Sequence, residues 1–560
     1  MTNPSLSAPR RRLAAWKAFT PKLIDTFRET YRVGDLRADV LAGLTVAIVA
    51  LPLAMALAIA SGTTPEKGLL TALVAGGLIS ALSGSRFQVG GPTGAFVVVV
   101  FNIIARFGFD GLVLATLMAG ALLLVAGFMR LGAWIKYIPE PVVAGFTAGI
   151  GIVIATSQIR DLLGLNMSHV PADFVAKWIA MWGARASFSP WALAVAAGAL
   201  AVIIGLRRFA PKAPGFLIAA VLATLAVTFL RLPVETIGTR FGHLNFGLPE
   251  PHLPAVSWDR VKALTPSACT IAFLAGVESL LSAMVADGMT GRRHRSNAEL
   301  VAQGVANLAS GLFGGLPATG AVARTATNVR AGARSPIAGI VHAVFVGLFM
   351  LVGGPLATYV PLSALAAILM VVAWGMSEPH KLIRLLRAPM GERVVLLATL
   401  GLTVAVDLTV AIGVGVVLAA MIFIHNMAES ASLSEGSVVD EDDGPEPADQ
   451  REGLPAGVVV FQLRGPLFFG AATRFTELLL TISSPPRAII LRMSRTPVVD
   501  STGVGVLRDF IVRCRRDGVR VILSGVRGQP LEVLDRMGLG PASGEVEYAD
   551  NFAGAVALAR

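Results

Sequence analysis

Glu278 stands inside the apolar run Thr270–Ser282, and Arg324 stands in the stretch 318–330, a turn and a half after Thr319. A carboxylate at the centre of a bilayer costs about 2.5 to 3.5 kcal/mol on insertion scales, so such a group faces protein or a water-filled cavity and marks an ion path. Ser282 lies one turn beyond Glu278, and the two can present oxygens along one helix face. The chemistry open to them is that of a proton carrier or a sodium ligand with the hydroxyl as partner. A buried ion pair between Glu278 and Arg324 is the structural alternative. Aimed at a cavity instead, Arg324 adds a permanent positive charge for an anion.

Two segments near these charges read alike. Gly90-Gly91-Pro92-Thr93-Gly94-Ala95 and Gly314-Gly315-Leu316-Pro317-Ala318-Thr319-Gly320-Ala321 lie about 225 residues apart, each between hydrophobic runs. Extended backbone at membrane depth must line a cavity or be buried in protein. Two such breaks in matching positions point to a binding site. If each segment turns helical near its Thr-Gly-Ala, two helix N-termini face one another, each with roughly half a positive charge and several unpaired N–H groups. Together they make an anion site. Ordinary tight turns between hairpin helices are the alternative.

The elements that must position these groups are transmembrane helices. The chain has 560 residues, 54% hydrophobic and 15% charged, with a mean hydropathy of +0.70. Apolar runs of membrane-spanning length recur from Asp39 to Asn426. Fourteen spans are predicted near 40–60, 67–83, 92–105, 111–129, 141–158, 190–206, 214–230, 267–286, 298–313, 318–330, 336–353, 362–377, 393–406 and 408–426. Short loops after even-numbered spans carry Arg86; Arg130 and Lys136; Arg207, Arg208 and Lys212; Arg292, Arg293 and Arg295; Arg330 and Arg334; Lys381, Arg384, Arg387 and Arg393. By the positive-inside rule those loops and both termini are cytoplasmic, in a multi-pass cell (inner) membrane protein. The two echoes are then entered from opposite sides, as a seven-plus-seven inverted repeat requires.

Other classes are disfavoured. The net charge of +11 is spread over loops rather than gathered into a basic stripe with aromatics. Cys269 and Cys514 do not suggest a disulfide scaffold, and the seven histidines never take metal-ligand spacing. No metal or other cofactor is expected beyond a coupling ion, H+ or Na+. His342, within span eleven, reads as a lone satisfied histidine. Asp287, Arg292, Arg293 and His294 read as a solvated helix end, and Asp407 as an interfacial residue. No nucleophile–base pair or nucleotide loop is apparent, so there is no catalytic set and an enzyme is not indicated. Residues 1–38, with Arg10, Arg11, Arg12, Lys17 and Lys22, lack a signal-peptide pattern and form a cytoplasmic segment. Its amphipathic part, Trp16 to Tyr31, is expected on the membrane surface.

After the membrane region, 39–426, the acidic stretch 427–456 reads as a solvated linker. Residues 457–560 alternate: strand Val458–Leu463, helix Ala471–Leu480, strand Ala488–Met493, helix Thr502–Arg516, strand Val519–Ser524. Val498-Val499-Asp500-Ser501-Thr502-Gly503 falls where a strand ends and a helix begins, a natural N-cap. A phosphorylated hydroxyl at Ser501 or Thr502 would also be stabilised there.

These features resemble the SulP family of anion transporters from about residue 20 onward. The residues carrying the likeness are Ala50-Leu51-Pro52-Leu53-Ala54-Met55-Ala56, the Gly91-Pro92-Thr93-Gly94 break, the helix Glu278 to Asp287 running into Met289-Thr290-Gly291, and Pro317 to Asn328. Residues 457–560 resemble the STAS domain. The expected architecture is a polytopic α-helical membrane protein of fourteen spans in a 7+7 inverted repeat, core plus gate domains, with a C-terminal cytoplasmic α/β STAS domain. The resemblance implies an anion held between spans one, three, eight and ten. Its contacts would come from Thr93, Gly94 and Ala95, from Thr319, Gly320, Ala321, Val322 and Ala323, and from Arg324, with Glu278 and Ser282 for ion coupling. Many relatives carry Gln after the proline of span one; here Leu53 withdraws that side-chain hydrogen bond. Gly145 to Ile152, Asp161 to Leu165 with His169-Val170-Pro171, and Trp374 to Glu378 with His380-Lys381 resemble the DauA type, which implies four-carbon dicarboxylates. A homodimer and a cytoplasmic protein partner of the STAS domain are also implied.

The function expected from all this is secondary active transport, proton-coupled uptake of a dianion such as succinate, fumarate or sulfate by alternating access. Sodium-coupled bicarbonate transport, an anion channel of the same fold, a membrane-anchored STAS regulator and a nucleobase carrier are the alternatives.

Overall fold

A computed structural model describes residues 18–29, 31–133, 139–167, 170–171, 173–211, 213–242, 244, 246–247, 249–406, 408–430, 432–435, 454–468 and 486–560. Arg10, Arg11, Arg12, Trp16, Lys17, Lys136, His169, Lys212, Asp407 and the predicted helix Ala471–Leu480 lie outside them, as does most of the acidic stretch. The chain forms two compact units, Met1–Val416 and Val417–Arg560.

The first unit is an assembly of apolar helices. Spans 1 and 2 are Val33–Ala60 and Pro65–Leu82; spans 3 and 4 run as one helix, Val97–Phe128, broken at Gly108, where φ is 70°. Spans 5 to 7 are Glu140–Leu163, Pro190–Phe209 and Gly215–Phe229. Spans 8 to 11 are Trp258–Thr290, Ser296–Leu312, Val322–Arg330 and Ile337–Val352. Spans 12 and 13 are Leu362–Met376 and Met390–Ala405, and span 14, Leu408–Ser430, begins in this unit and continues past Val416. At 1.5 Å per residue, span 10 covers only about 14 Å of a ~30 Å hydrocarbon layer. Extended backbone before it supplies the missing depth.

Packing partners follow the inverted repeat. Span 9 packs on spans 3 and 4 as span 2 packs on span 11; span 1 meets span 11 as span 8 meets span 4. These seven, with span 10 packed on span 8, form the core. Span 5 packs on span 13 as span 12 packs on span 6, and spans 5 and 12 meet each other, which defines the gate. Close crossings use small residues, because van der Waals contact rather than hydrophobicity drives helix association in lipid. Span 4 and span 9 cross at Gly120 and Gly304, where an added Cβ on either would sit 2.9 Å from the other's carbonyl oxygen.

The N-terminal amphipathic stretch is tied to the rest of the protein by ion pairs. Its described part is a helix, Lys22–Arg28, whose Asp25 pairs with Arg295 at 2.8 Å in the loop after span 8, while Glu29 pairs with Arg86. Arg295 and Lys22 hold the Asp25 carboxyl below the usual carboxylate range against the opposing effect of burial. The Asp287 end is likewise partly covered, its carboxylate accepting from the His294 backbone N–H at 2.9 Å and facing His294 Nδ1 at 2.7 Å.

Among the described residues of the second unit five strands lie in sequence order. Ser432–Glu435 pairs antiparallel with Val458–Arg464, and Ala488–Arg495, Arg520–Ser524 and Glu547–Ala549 continue in parallel. Ser432–Glu435 is short and polar, and nothing in its composition announces a strand. The central strands are buried on both faces, which explains their unbroken apolar runs. Ile489, Leu491 and Met493 face the helix Ser501–Arg516, and Ala488 and Ile490 face the helix Phe552–Ala559. Asp500 caps the first of these helices by accepting from Gly503 N at 2.8 Å, and Ser501 and Thr502 are exposed beside it. Asp500→Ala should weaken this helix start by about 1 kcal/mol, read as roughly fivefold faster amide exchange in its first turn. Unchanged exchange would show that the cap contributes nothing there.

Candidate functional site

The two Gly-Pro-Thr echoes meet. Gly90–Gly91 (β1) and Thr319–Gly320 (β2) pair antiparallel, with Gly90 opposite Gly320 and Gly91 opposite Thr319. The extended residues that precede the two helices are Thr93 and Ala321, so the structure equates Thr93 with Ala321 and Gly91 with Thr319. The sequence echo equates Thr93 with Thr319, so the similarity of letters is offset by two residues from the similarity of structure. The two threonines accordingly differ in role. Thr93 is the extended residue before the first helical turn, and Thr319 lies in the strand with its hydroxyl donating to Ala275 O at 2.9 Å.

Glycine is required at the strand pair by close approach. Gly91 has φ of +142°, and the place its Cβ would take is held by the Arg324 guanidinium; at Gly320 that place is held by the Gln88 amide. Gly91→Ala should lower transport at least tenfold and depress the melting temperature in detergent by several degrees, the usual result of strain at a φ that L residues avoid. Wild-type transport and melting in that variant would mean that the strand pair tolerates displacement.

Arg324, on the first turn of span 10, is 3% exposed. Its Nη1 donates to Gly90 O at 3.0 Å and its Nη2 to Pro92 O, so the cation of one repeat clasps the backbone break of the other. Among the described residues no ion pair joins it to Glu278, contrary to the structural alternative. The carboxylate of Glu278 accepts instead from Thr93 Oγ1 at 2.8 Å. Ser282, expected as the partner of Glu278, donates to Thr325 Oγ1 at 2.9 Å; that oxygen also accepts from Val89 N at 3.1 Å. The reason is depth: Ser282 is a full turn further along span 8 and completely buried against span 10, whereas Glu278 is only partly covered.

Gln88, Thr325 and Asn328 escaped the sequence reading. Gln88 Nε2 donates to Ser279 O at 3.1 Å, and Asn328 Nδ2 donates to Phe87 O at 3.0 Å. Their signal was available: each is an uncharged polar residue flanking a break, where extended backbone leaves carbonyls that must be satisfied. His342 is fully buried and, among the described residues, neither ring nitrogen has a hydrogen-bond partner, in contrast to the expected satisfied histidine.

What the arrangement offers a ligand is mainly backbone. Span 3 starts with a tight turn, Gly94–Phe96, and span 10 starts after Ala321. Among the described residues the N–H groups of Gly94 and Ala95, and of Val322, Ala323 and Arg324, have no acceptor. Ala323 is exposed, and Gly94 faces Met376 of span 12 and Ile154 of span 5. Leu53 of span 1 is nearly buried. The two helix starts contribute roughly half a positive charge each. They lie on the core domain where it meets the gate, with Glu278 beside them, and can hold small anions through donated N–H groups.

Known proteins share this plan. The sulfate permease family profile matches residues 36–399, and the STAS domain profile matches residues 451–547. YvdB of Bacillus subtilis is 40% identical over 523 residues, covering 93% of this chain and 97% of YvdB. The bicarbonate transporter BicA of Picosynechococcus is 30% identical over 525 residues, covering 90% of this chain and 91% of BicA. The structure of the murine Solute Carrier 26 family member A9 anion transporter superposes with a TM-score of 0.86 over 100% of this chain and 96% of that one. At 18% identity that likeness speaks to fold alone.

Proposed function

Because the chain belongs to the sulfate permease family and is an anion transporter of the multi-pass membrane class, we propose that it takes up a small dianion together with protons by alternating access. Succinate, fumarate and sulfate are the substrates of choice. The observation that carries this reading is the pair of opposed helix starts with free N–H groups beside the carboxylate of Glu278.

Charge arithmetic supports proton coupling. With Glu278 ionised, its charge offsets that of Arg324 and the helix starts leave about one unit of positive charge. Protonation of Glu278 raises this to about two, which matches a dianion. Moving two negative charges inward against 100 mV costs about 4.6 kcal/mol at ~2.3 kcal/mol per charge. Each accompanying proton removes one charge from that cost. The core, bearing the site, moves against the gate, with both termini and the STAS domain on the cytoplasmic side and two copies forming a homodimer.

Labelled succinate, fumarate, sulfate and bicarbonate should be offered to proteoliposomes with imposed pH, sodium and potential gradients. Accumulation of a dianion driven by pH is expected. Accumulation of none of the four removes the substrate reading. Bicarbonate uptake driven by sodium is the second outcome to watch, since BicA is named for bicarbonate, whereas YvdB is named for sulfate.

A further inference from the structure

Lys177 is a buried ammonium outside the site just described. It belongs to the amphipathic helix Phe174–Gly183, between spans 5 and 6, and is 5% exposed. Val175, Trp178, Ile179 and Trp182 form the exposed side of that helix, an aromatic and apolar face suited to a membrane interface. The helix packs on spans 5 and 13, and Met181 joins Leu165 and Met167 in a small cluster beyond the end of span 5, so it travels with the gate.

The partner of Lys177 is on the core. Its Nζ stands 5.3 Å from the centre of the Phe101 ring, on span 3. Phe101 is seven residues after Gly94, hence on the same helix face, the one turned toward Ile154 and Met376 of the gate. Seven residues place it about 10 Å beyond the helix start, along the seam between core and gate. Among the described residues no carboxylate pairs with Lys177. Asp173, one turn back, acts on it electrostatically from outside ion-pairing distance, and burial is the larger influence, lowering the ammonium's pKa from its ordinary value. A cation held by a ring alone is poorly compensated, so an anion entering the seam would replace the ring as its partner.

We propose that Lys177 is the capture point for the anion at the mouth opposite the Arg- and Lys-rich loops, handing it to the helix starts of spans 3 and 10. This rests on the transport reading above. The Lys177–Phe101 contact spans the two moving domains, so displacement of the core frees the ammonium for the incoming charge.

The test is sided kinetics of labelled sulfate and succinate in proteoliposomes whose orientation is fixed by protease accessibility. Lys177→Gln should raise KM about tenfold for entry from the Lys177 face, with KM from the opposite face and the maximal rate unchanged. Lys177→Arg, which keeps the charge and the ring contact, should retain wild-type KM on both faces. An equal rise in KM on both faces, or none on either, overturns the capture role while leaving the transport reading in place. Failure of the wild type to carry either anion overturns both.

Discussion

Replacing Glu278 by Gln should abolish pH-driven accumulation while sparing exchange of labelled for unlabelled substrate. The amide oxygen can still accept from Thr93 Oγ1, which the carboxylate accepts from at 2.8 Å, so the start of span 3 keeps its setting. What is lost is the proton. A site with a permanently neutral residue 278 resembles the proton-loaded form in charge, binds the dianion, and crosses with it, but carries no proton back. A dianion moving alone against 100 mV settles at roughly a thousandth of its outside concentration, from ~2.3 kcal/mol per charge and ~1.4 kcal/mol per decade. The wild type, with the one proton that Glu278 can carry per dianion, would equilibrate near a fiftieth under the same potential without a pH gradient, at ~2.3 kcal/mol for the one remaining charge. Glu278→Gln proteoliposomes should therefore differ from wild type by about fiftyfold in steady-state accumulation, with counterflow within a few-fold. pH-dependent accumulation that survives the substitution would remove Glu278 from coupling.

The extent to which this was legible beforehand depends on the range of the interaction. The fourteen spans could be read because lipid imposes length and apolarity on each segment separately. The meeting of the two breaks could be read because loop charge gives each segment a direction, and opposed directions imply an inverted repeat. Residue pairing could not. Thr93 and Glu278 are 185 positions apart, and only the packing of span 8 against the start of span 3 selects Thr93 over Ser282. The echo itself misled by two residues, since Thr-Gly-Ala looks like a helix start in both halves while β2 consumes Thr319 and Gly320 in strand pairing. Ser432–Glu435 went unseen for a similar reason, its strand form depending on a partner 26 residues on, where Glu435 lies opposite Phe461.

Removal of the Arg324 side chain should cost about thirtyfold or more in apparent anion affinity, and the reason differs from the one composition suggests. As a bare site cation, Arg324 would be replaceable by Lys. In the structure its guanidinium makes two bonds, to Gly90 O and Pro92 O, in the geometry of a fork. A lysine ammonium is a compact point charge on a flexible stem and cannot reproduce the fork. Arg324→Ala leaves two carbonyls at β1 without their donor, each worth about 1 to 3 kcal/mol when buried, and frees the start of span 3 to shift relative to span 10. The fold itself should persist, because the β1–β2 pairing, Val89 N on Thr325 and Asn328 on Phe87 O still join the repeats. The discriminating measurement is anion binding by isothermal titration alongside melting in detergent for Arg324→Ala and Arg324→Lys. If both lose affinity and both melt several degrees early, Arg324 acts by clasping the breaks so that the N–H groups converge. Full affinity in Arg324→Lys would show that charge alone suffices, and unchanged affinity in Arg324→Ala would exclude the residue from the site altogether.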